Sequence, residues 1–241
     1  MSSRDEIRQT VRLTACLLII GLLALPSVGA GAEPQQADVP RFGEEIYVIG
    51  EIPFLEPVDP GQPVTVRFGI GELEIVTTES NQIRADLDVR CRENLSEALC
   101  TKYRDRLRLE PRRGKEGVEV RLVGLPKWKM RKLQLEGRVE VPKWSPLTVR
   151  VGIGDVDIHS DAENLSVAMG IGDLTVRVPQ DNVGKVSIGT RIGDASLWRA
   201  DGYHEGKRRM LIGARVHWLE GAGDAVIDVG LRIGDAKVVL E

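Results

Sequence analysis

Leu147-Thr148-Val149-Arg150-Val151-Gly152-Ile153-Gly154-Asp155-Val156 holds, in ten residues, the grammar of the whole chain. Leu147, Val149, Val151 and Ile153 alternate with Thr148, Arg150 and Gly152, the period of a strand with one buried face. After Gly154-Asp155 the phase slips by one, because the next apolar residues are Val156 and Ile158. A slip of one turns every later side chain to the other face unless a bulge or corner absorbs it. Glycine tolerates the backbone angles a corner needs, and an adjacent Asp accepts hydrogen bonds from nearby backbone N–H groups. The stretch therefore reads as strand, corner, strand.

The same phrase recurs as Phe68-Gly69-Ile70-Gly71-Glu72-Leu73, Met169-Gly170-Ile171-Gly172-Asp173-Leu174, Thr190-Arg191-Ile192-Gly193-Asp194-Ala195 and Leu231-Arg232-Ile233-Gly234-Asp235-Ala236. A degenerate copy, Leu211-Ile212-Gly213-Ala214-Arg215-Val216, falls between the last two. Counted after the second Gly, the positions 155, 173, 194, 214 and 235 are 18, 21, 20 and 21 residues apart. A period near 20 is the mark of stacked coils. The expected fold is all-β, a β-solenoid or parallel β-helix-like stack of roughly 20-residue coils. Its corners would be Gly71-Glu72, Gly154-Asp155, Gly172-Asp173, Gly193-Asp194 and Gly234-Asp235, with Ile153, Ile171 and Ile233 on the buried face.

Residues 76–146 separate the first corner from the next and carry alternating runs at Ile83–Val89, Leu107–Leu109, Val118–Leu122 and Leu133–Val141. Pro111–Gly117 reads as a hairpin turn, and Leu95–Tyr103 as a short helical excursion. This part of the N-terminal half fits either degenerate coils or an antiparallel insertion.

The N-terminus carries an address. Arg4, Arg8 and Arg12 precede an uncharged stretch, Leu13–Ala32, that ends in the small residues Ala30-Gly31-Ala32. Basic, apolar and small-residue regions in that order form a secretory signal peptide. Leu13-Thr14-Ala15-Cys16 has the residue pattern of a lipoprotein cleavage box, but it stands before the apolar segment and not after it. The chain thus divides into a signal peptide at 1–32, a flexible leader at 33–45 and one domain at 46–241, exported to the periplasm or beyond. The alternative is an uncleaved signal that anchors the protein in the inner membrane. Cys91 and Cys100, the two cysteines outside the signal, are expected to pair in an oxidising compartment. With 33 basic and 36 acidic residues the net charge is −3, so no global basic field invites nucleic acid.

At Val139-Glu140-Val141-Pro142-Lys143-Trp144-Ser145-Pro146 and the phrase that follows it, the chain resembles the bacterial adhesin-like β-solenoid domain family. In that family a Val-Pro-(Lys) step introduces serial Gly-Asp coils behind a signal peptide. The resemblance spans roughly residues 46–241 and implies an exported, non-enzymatic solenoid; the expected role is that of a structural or binding module of the bacterial cell envelope. This chain departs from the family in placing Ile before the second Gly, and Ala214 in one copy.

The Asp series could line one edge and offer carboxylates to calcium, which takes six to eight oxygens. Calcium-binding β-rolls use a nine-residue Gly-rich repeat, however, and Ala214 would interrupt the ladder. Turn capping is the expected role, with no metal and no cofactor. His159, His204 and His217 lack metal-ligand spacing, and no nucleophile motif is present, so no catalytic residue is assigned. A carbohydrate-active solenoid enzyme and a calcium-dependent adhesin stand as the alternatives. Lys127-Trp128-Lys129 and Lys143-Trp144 pair aromatic and cationic side chains, as do Trp198-Arg199 and His217-Trp218. Such pairs suit envelope glycans or anionic lipid, or else cover solenoid ends. The last coil, Leu231–Glu241, reads as an uncapped edge open to a partner protein's strand.

Overall fold

The alternating runs become strands, and each of the five corners at Gly71, Gly154, Gly172, Gly193 and Gly234 becomes the point at which the chain leaves one sheet for another. A computed structural model describes residues 47–241 apart from 92–94, 201, 206, 210 and 211; the expected signal peptide and leader lie outside the described residues. The strands are β1 (Tyr47–Pro57), β2 (Val64–Ile70), β3 (Glu72–Thr78), β4 (Gln82–Cys91), β5 (Arg108–Gly114), β6 (Gly117–Val123), β7 (Leu133–Pro142), β8 (Leu147–Ile153) and β9 (Val156–His159). They continue as β10 (Asn164–Ile171), β11 (Leu174–Val178), β12 (Val183–Ile192), β13 (Ala195–Arg199), β14 (Gly202–Glu205), β15 (Lys207–Arg209), β16 (Gly213–Trp218), β17 (Ala225–Ile233) and β18 (Ala236–Leu240). Two short helices, α1 (Glu97–Arg104) and α2 (Lys127–Met130), interrupt them. The protein is all-β.

Two nine-stranded mixed sheets result. Sheet A has the order β1-β4-β7-β3-β9-β11-β18-β13-β14, and sheet B the order β5-β6-β2-β8-β10-β17-β12-β16-β15. Each Gly-Asp unit sends its first strand to sheet B and its second to sheet A: β2–β3, β8–β9, β10–β11, β12–β13 and β17–β18. Equivalent residues pair in parallel, so that Ile70, Ile153, Ile171, Ile233 and Ile192 stand side by side.

The spatial order of these units departs from their order in the chain. β17 lies between β10 and β12, and β18 between β11 and β13, so the fifth unit is inserted between the third and the fourth. The degenerate copy is not a coil at all. It forms β16, which runs antiparallel along β12 with Val186 opposite Trp218 and Ile188 opposite Val216. Its Gly213-Ala214 pair lacks the corner, so the chain does not cross there. Since β16 covers the outer edge of β12, the last unit enters the slot between β10 and β12. The expectation of an open C-terminal edge is corrected by the same fact: β18 is paired on both sides, and Glu241 exchanges backbone hydrogen bonds with Val178 (3.0 Å) and Gln180 (2.8 Å).

Residues 76–146 combine the two forms expected of them. β6 and β7 run parallel to β2 and β3, a sixth crossing in which Gly124 and α2 replace the Gly-Asp corner. β4, β5 and β1 are added antiparallel outside them. The hairpin turn is shorter than read, because β5 continues to Gly114, which pairs with Gly117. The long edge strand β1 carries Pro53, Pro57 and a register shift at Gly50, features that discourage pairing with other chains.

Inward side chains from both sheets form a single core in which Val66, Ile75, Leu87, Val149, Ile158, Ile188, Leu197 and Ile227 are fully buried. Each such aliphatic contributes about 1.5–3 kcal/mol. Cys91 and Cys100 are joined in a buried disulfide that ties the end of β4 to α1. The bridge closes a short loop, so replacing both cysteines by Ser is expected to cost about 2–3 kcal/mol, read as a lower urea midpoint.

Candidate functional site

Where the units turn, their corners stack. The N–H of Gly154 donates to the Ile171 carbonyl (3.0 Å), that of Gly172 to Ile233 (3.1 Å) and that of Gly234 to Ile192 (3.0 Å). The amides after the Asp residues repeat the pattern, Val156 to the Asp173 carbonyl and Leu174 to Asp235, both at 2.9 Å. The carboxylates complete the ladder. Asp155 Oδ1 accepts from the N–H of Asp173 (3.0 Å), Asp173 Oδ1 from Asp235 (3.3 Å) and Asp235 Oδ1 from Asp194 (2.9 Å). Each side chain thus caps the backbone of the next unit in space, where capping inside its own turn would be the local expectation. Glu72 instead accepts from Gln134 Nε2 at 3.2 Å. The interruption expected at Ala214 does not occur, because β16 lies outside the stack. Asp173→Ala is expected to cost about 1–2 kcal/mol, by the same amount in calcium as in chelator, in paired thermal melts.

Register extends this acidic row across sheet A. Glu51 lies opposite Asp88, Asp88 opposite Glu136 and Glu136 opposite Glu72, and the Asp ladder continues from there. The row borders an open trough of about 950 Å³ on the outer face of the sheet. Its cations are largely engaged: Arg138 bonds Glu74 (2.8 Å), Arg90 bonds Glu136 (2.9 Å), and Arg177 pairs with Asp157. The Asp157 hydrogen bond, and secondarily the charges of Asp157 and Glu241, raise the Arg177 pKa above its ordinary value against the opposing effect of burial. His159 lies 3.1 Å from Arg177, whereas His204 is on β14 and His217 on β16 of the other sheet. The three histidines therefore do not share a site. Among the described residues no group of three or more His, Cys, Asp or Glu is arranged to hold a metal ion.

Beside the acidic row runs an apolar one that the alternation misplaced. Ile171, Ile233 and Ile192 are 45%, 42% and 46% exposed, and Ile70 and Ile153 are half-buried. These residues lie on the inward phase of their strands, but past the last core layer, where the chain crosses between sheets. They close the side of the core and leave their outer surfaces to water. Ile212, 61% exposed, extends the row, its carbonyl accepting from the N–H of Gly193 at 3.0 Å. The signal was present in the sequence: every Gly-Asp or Gly-Glu corner has Ile one residue before its second Gly, while the residue before that Ile varies between Gly and Arg.

The aromatic surface expected from Lys127, Trp128, Lys129, Lys143 and Trp144 does not assemble. Lys127, Trp128 and Lys129 form α2 just before β7, and Lys143 and Trp144 follow its other end. β7 has 10 residues, so the two groups are separated by about 30 Å of extended strand. Trp128 is 63% exposed, with Lys129 Nζ 5.0 Å from its ring; Trp144 donates to Asn81 Oδ1 at 3.1 Å beneath Lys143. At the far end of the sheets Trp198 is already engaged by Tyr203, centroids 4.6 Å apart, and by Lys237 at 4.9 Å.

No protein-family model matches the chain, and no curated protein does. Among solved structures it is similar to a candidate cell adhesion protein from Clostridium sporogenes, at 13% identity and a TM-score of 0.47, over 80% of this chain and 100% of that one. A candidate adhesin from Parabacteroides merdae gives 10% identity and a TM-score of 0.27 over 78% and 80% of the two chains. One from Bacteroides fragilis gives 8% and 0.25 over 78% and 97%.

Proposed function

We propose that this chain is a non-catalytic, exported module of the bacterial cell envelope, adhesin-like, with a structural or binding role. Its Gly-Asp units are the coils of a β-solenoid in which one coil is intercalated out of order. The observation that carries the reading is the pair of in-register rows along the corners. One is acidic and one apolar, and both face solvent. Long uniform stripes suit contact with an extended partner. Acid–base catalysis asks instead for a few groups converging on one atom. Three of the corner carboxylates, Asp155, Asp173 and Asp235, cap backbone N–H groups of the adjacent unit, which supports a structural use of these side chains. The buried disulfide fits an oxidising compartment, as export requires.

The test is thermal unfolding of the oxidised domain against a panel of envelope glycans and anionic lipid vesicles, with each glycan checked for cleavage products. A specific ligand at about a hundredfold excess over its Kd adds about 2.7 kcal/mol of stability. Stabilisation without turnover is the expected outcome. Turnover of a glycan that is lost on replacing one carboxylate would overturn the reading in favour of a carbohydrate-active enzyme.

A further inference from the structure

We infer that the corner wall is a docking surface for a cationic amphipathic helix presented by a partner protein; this rests on the binding role proposed above and names its partner chemistry. Two independent features of the wall point the same way. The first is the row Ile70, Ile153, Ile171, Ile233, Ile192, held in parallel register and extended by Ile212. Contiguous exposed apolar surface of this kind marks interaction sites more often than scattered exposed residues do. The second is the acidic row just after the corners, Glu72, Asp155, Asp173, Asp235 and Asp194, which Glu136, Asp88 and Glu51 continue past the isoleucines along β7, β4 and β1.

The geometry selects a helix. Adjacent strands are about 4.8 Å apart, so six isoleucines span about 24 Å. A helix advances about 5 Å between side chains three or four residues apart, and about 16 residues cover the same length. Apolar side chains at i, i+3 or i+4 and i+7 would meet successive isoleucines, the helix-in-groove mode transposed to a narrow wall. On the flank away from the acids the equivalent residues are Gly69, Gly152 and Gly170 at three units, with open space beside Gly69, and the exposed Arg191 and Arg232 at the other two, so cationic side chains of the helix belong on the acidic side alone.

Charge chooses between occupants. With the acidic row on one flank only, a helix carrying Lys or Arg along that side is complementary, and an acidic helix is repelled. A second copy with its own ladder reversed would set acidic row against acidic row.

The test uses fluorescently labelled peptides of about 18 residues and anisotropy titrations against the oxidised domain. One peptide places Leu on one helical face and Lys elsewhere, a second has the same composition scrambled, and a third replaces Lys by Glu. The amphipathic Lys peptide is expected to bind at least tenfold more tightly than either control. Its affinity is expected to fall at least tenfold for Ile171→Ser/Ile233→Ser, for Glu72→Gln/Asp194→Asn, and on raising salt from about 50 to about 500 mM. The acidic pair lies on the outer face, so that variant keeps the test decisive should the isoleucine pair fail to fold. Equal binding of the scrambled peptide, or no loss with either variant, would overturn the inference. So would sedimentation showing a wild-type dimer that the isoleucine variant dissolves, which would give the wall to a second copy. Glycan or lipid stabilisation without peptide binding would sink this inference and leave the binding role standing; glycan turnover would do the reverse.

Discussion

Ending the chain after Glu220, which removes β17 and β18, is expected to abolish the cooperative fold of everything beyond β11. In a serial stack each coil touches only its neighbours, and losing the terminal one merely shortens the array. Here the last unit is central. β17 pairs with β10 on one side and β12 on the other, and β18 bridges β11 and β13. Without them β12, β13 and β16 have no sheet to join. The deletion also removes Ile227, Val229, Leu231, Val238 and Leu240, all at most 3% exposed. Five fully buried aliphatics are worth about 7–15 kcal/mol, the size of a whole domain's net stability. Trp198 and Trp218 report on β13 and β16, and Trp128 and Trp144 on the opposite end. The expected result is that the first two become fully quenchable by acrylamide in the truncated chain. A truncated chain whose four tryptophans keep their native protection and unfold together would show that the units stack in chain order.

That order is the part of the fold the sequence could not disclose. Strands, corners and the short helix are local events, written in period-two alternation and in the Gly-Asp breaks, and they were legible to within a few residues. The disulfide was legible from cysteine arithmetic together with the export expected of the chain. Which unit neighbours which is a matter of long-range pairing among copies that carry the same Ile-Gly-Asp edge, so any copy is a chemically acceptable neighbour for any other. The single local clue was Gly213-Ala214: a copy without its corner cannot cross between sheets, and a strand that does not cross can turn back and cover an edge. The candidate site divides in the same way. Acidic residues after each second Gly were visible, but Asp88 and Glu136 join their row only through strand register. The isoleucines were assigned to the core because alternation has no term for where the core ends. The tryptophan pairs were grouped by closeness in sequence, and a ten-residue strand separates them.

Gly172→Ala is expected to be the most damaging single substitution in the corner ladder, at about 3–5 kcal/mol, read from urea denaturation monitored by circular dichroism. Two effects act together. At φ +130° the backbone of Gly172 lies where L side chains are strained, at a cost of about 1–3 kcal/mol. An added Cβ would also land on the Gly154 carbonyl oxygen and the Met169 Cε, so either the corner moves or its neighbour does. Movement in either direction breaks hydrogen bonds that hold the third unit to the fifth: Gly172 to Ile233 and Leu174 to Asp235, each worth about 1 kcal/mol. Two other glycines separate the contributions. Gly61, at φ +75° with nothing within 4 Å of its would-be Cβ, carries the conformational cost alone, and Gly61→Ala should cost about 1–2 kcal/mol. Gly69 has neither the unusual φ nor a close neighbour, and Gly69→Ala should change stability by no more than about 0.5 kcal/mol. The ordering Gly172, Gly61, Gly69 is therefore a measurement of corner stacking itself. If Gly172→Ala cost no more than Gly61→Ala, the Cα of one corner would not lie against the carbonyl of the next, and the two parallel rows on the wall would lose the spacing on which their complementarity to a helix depends.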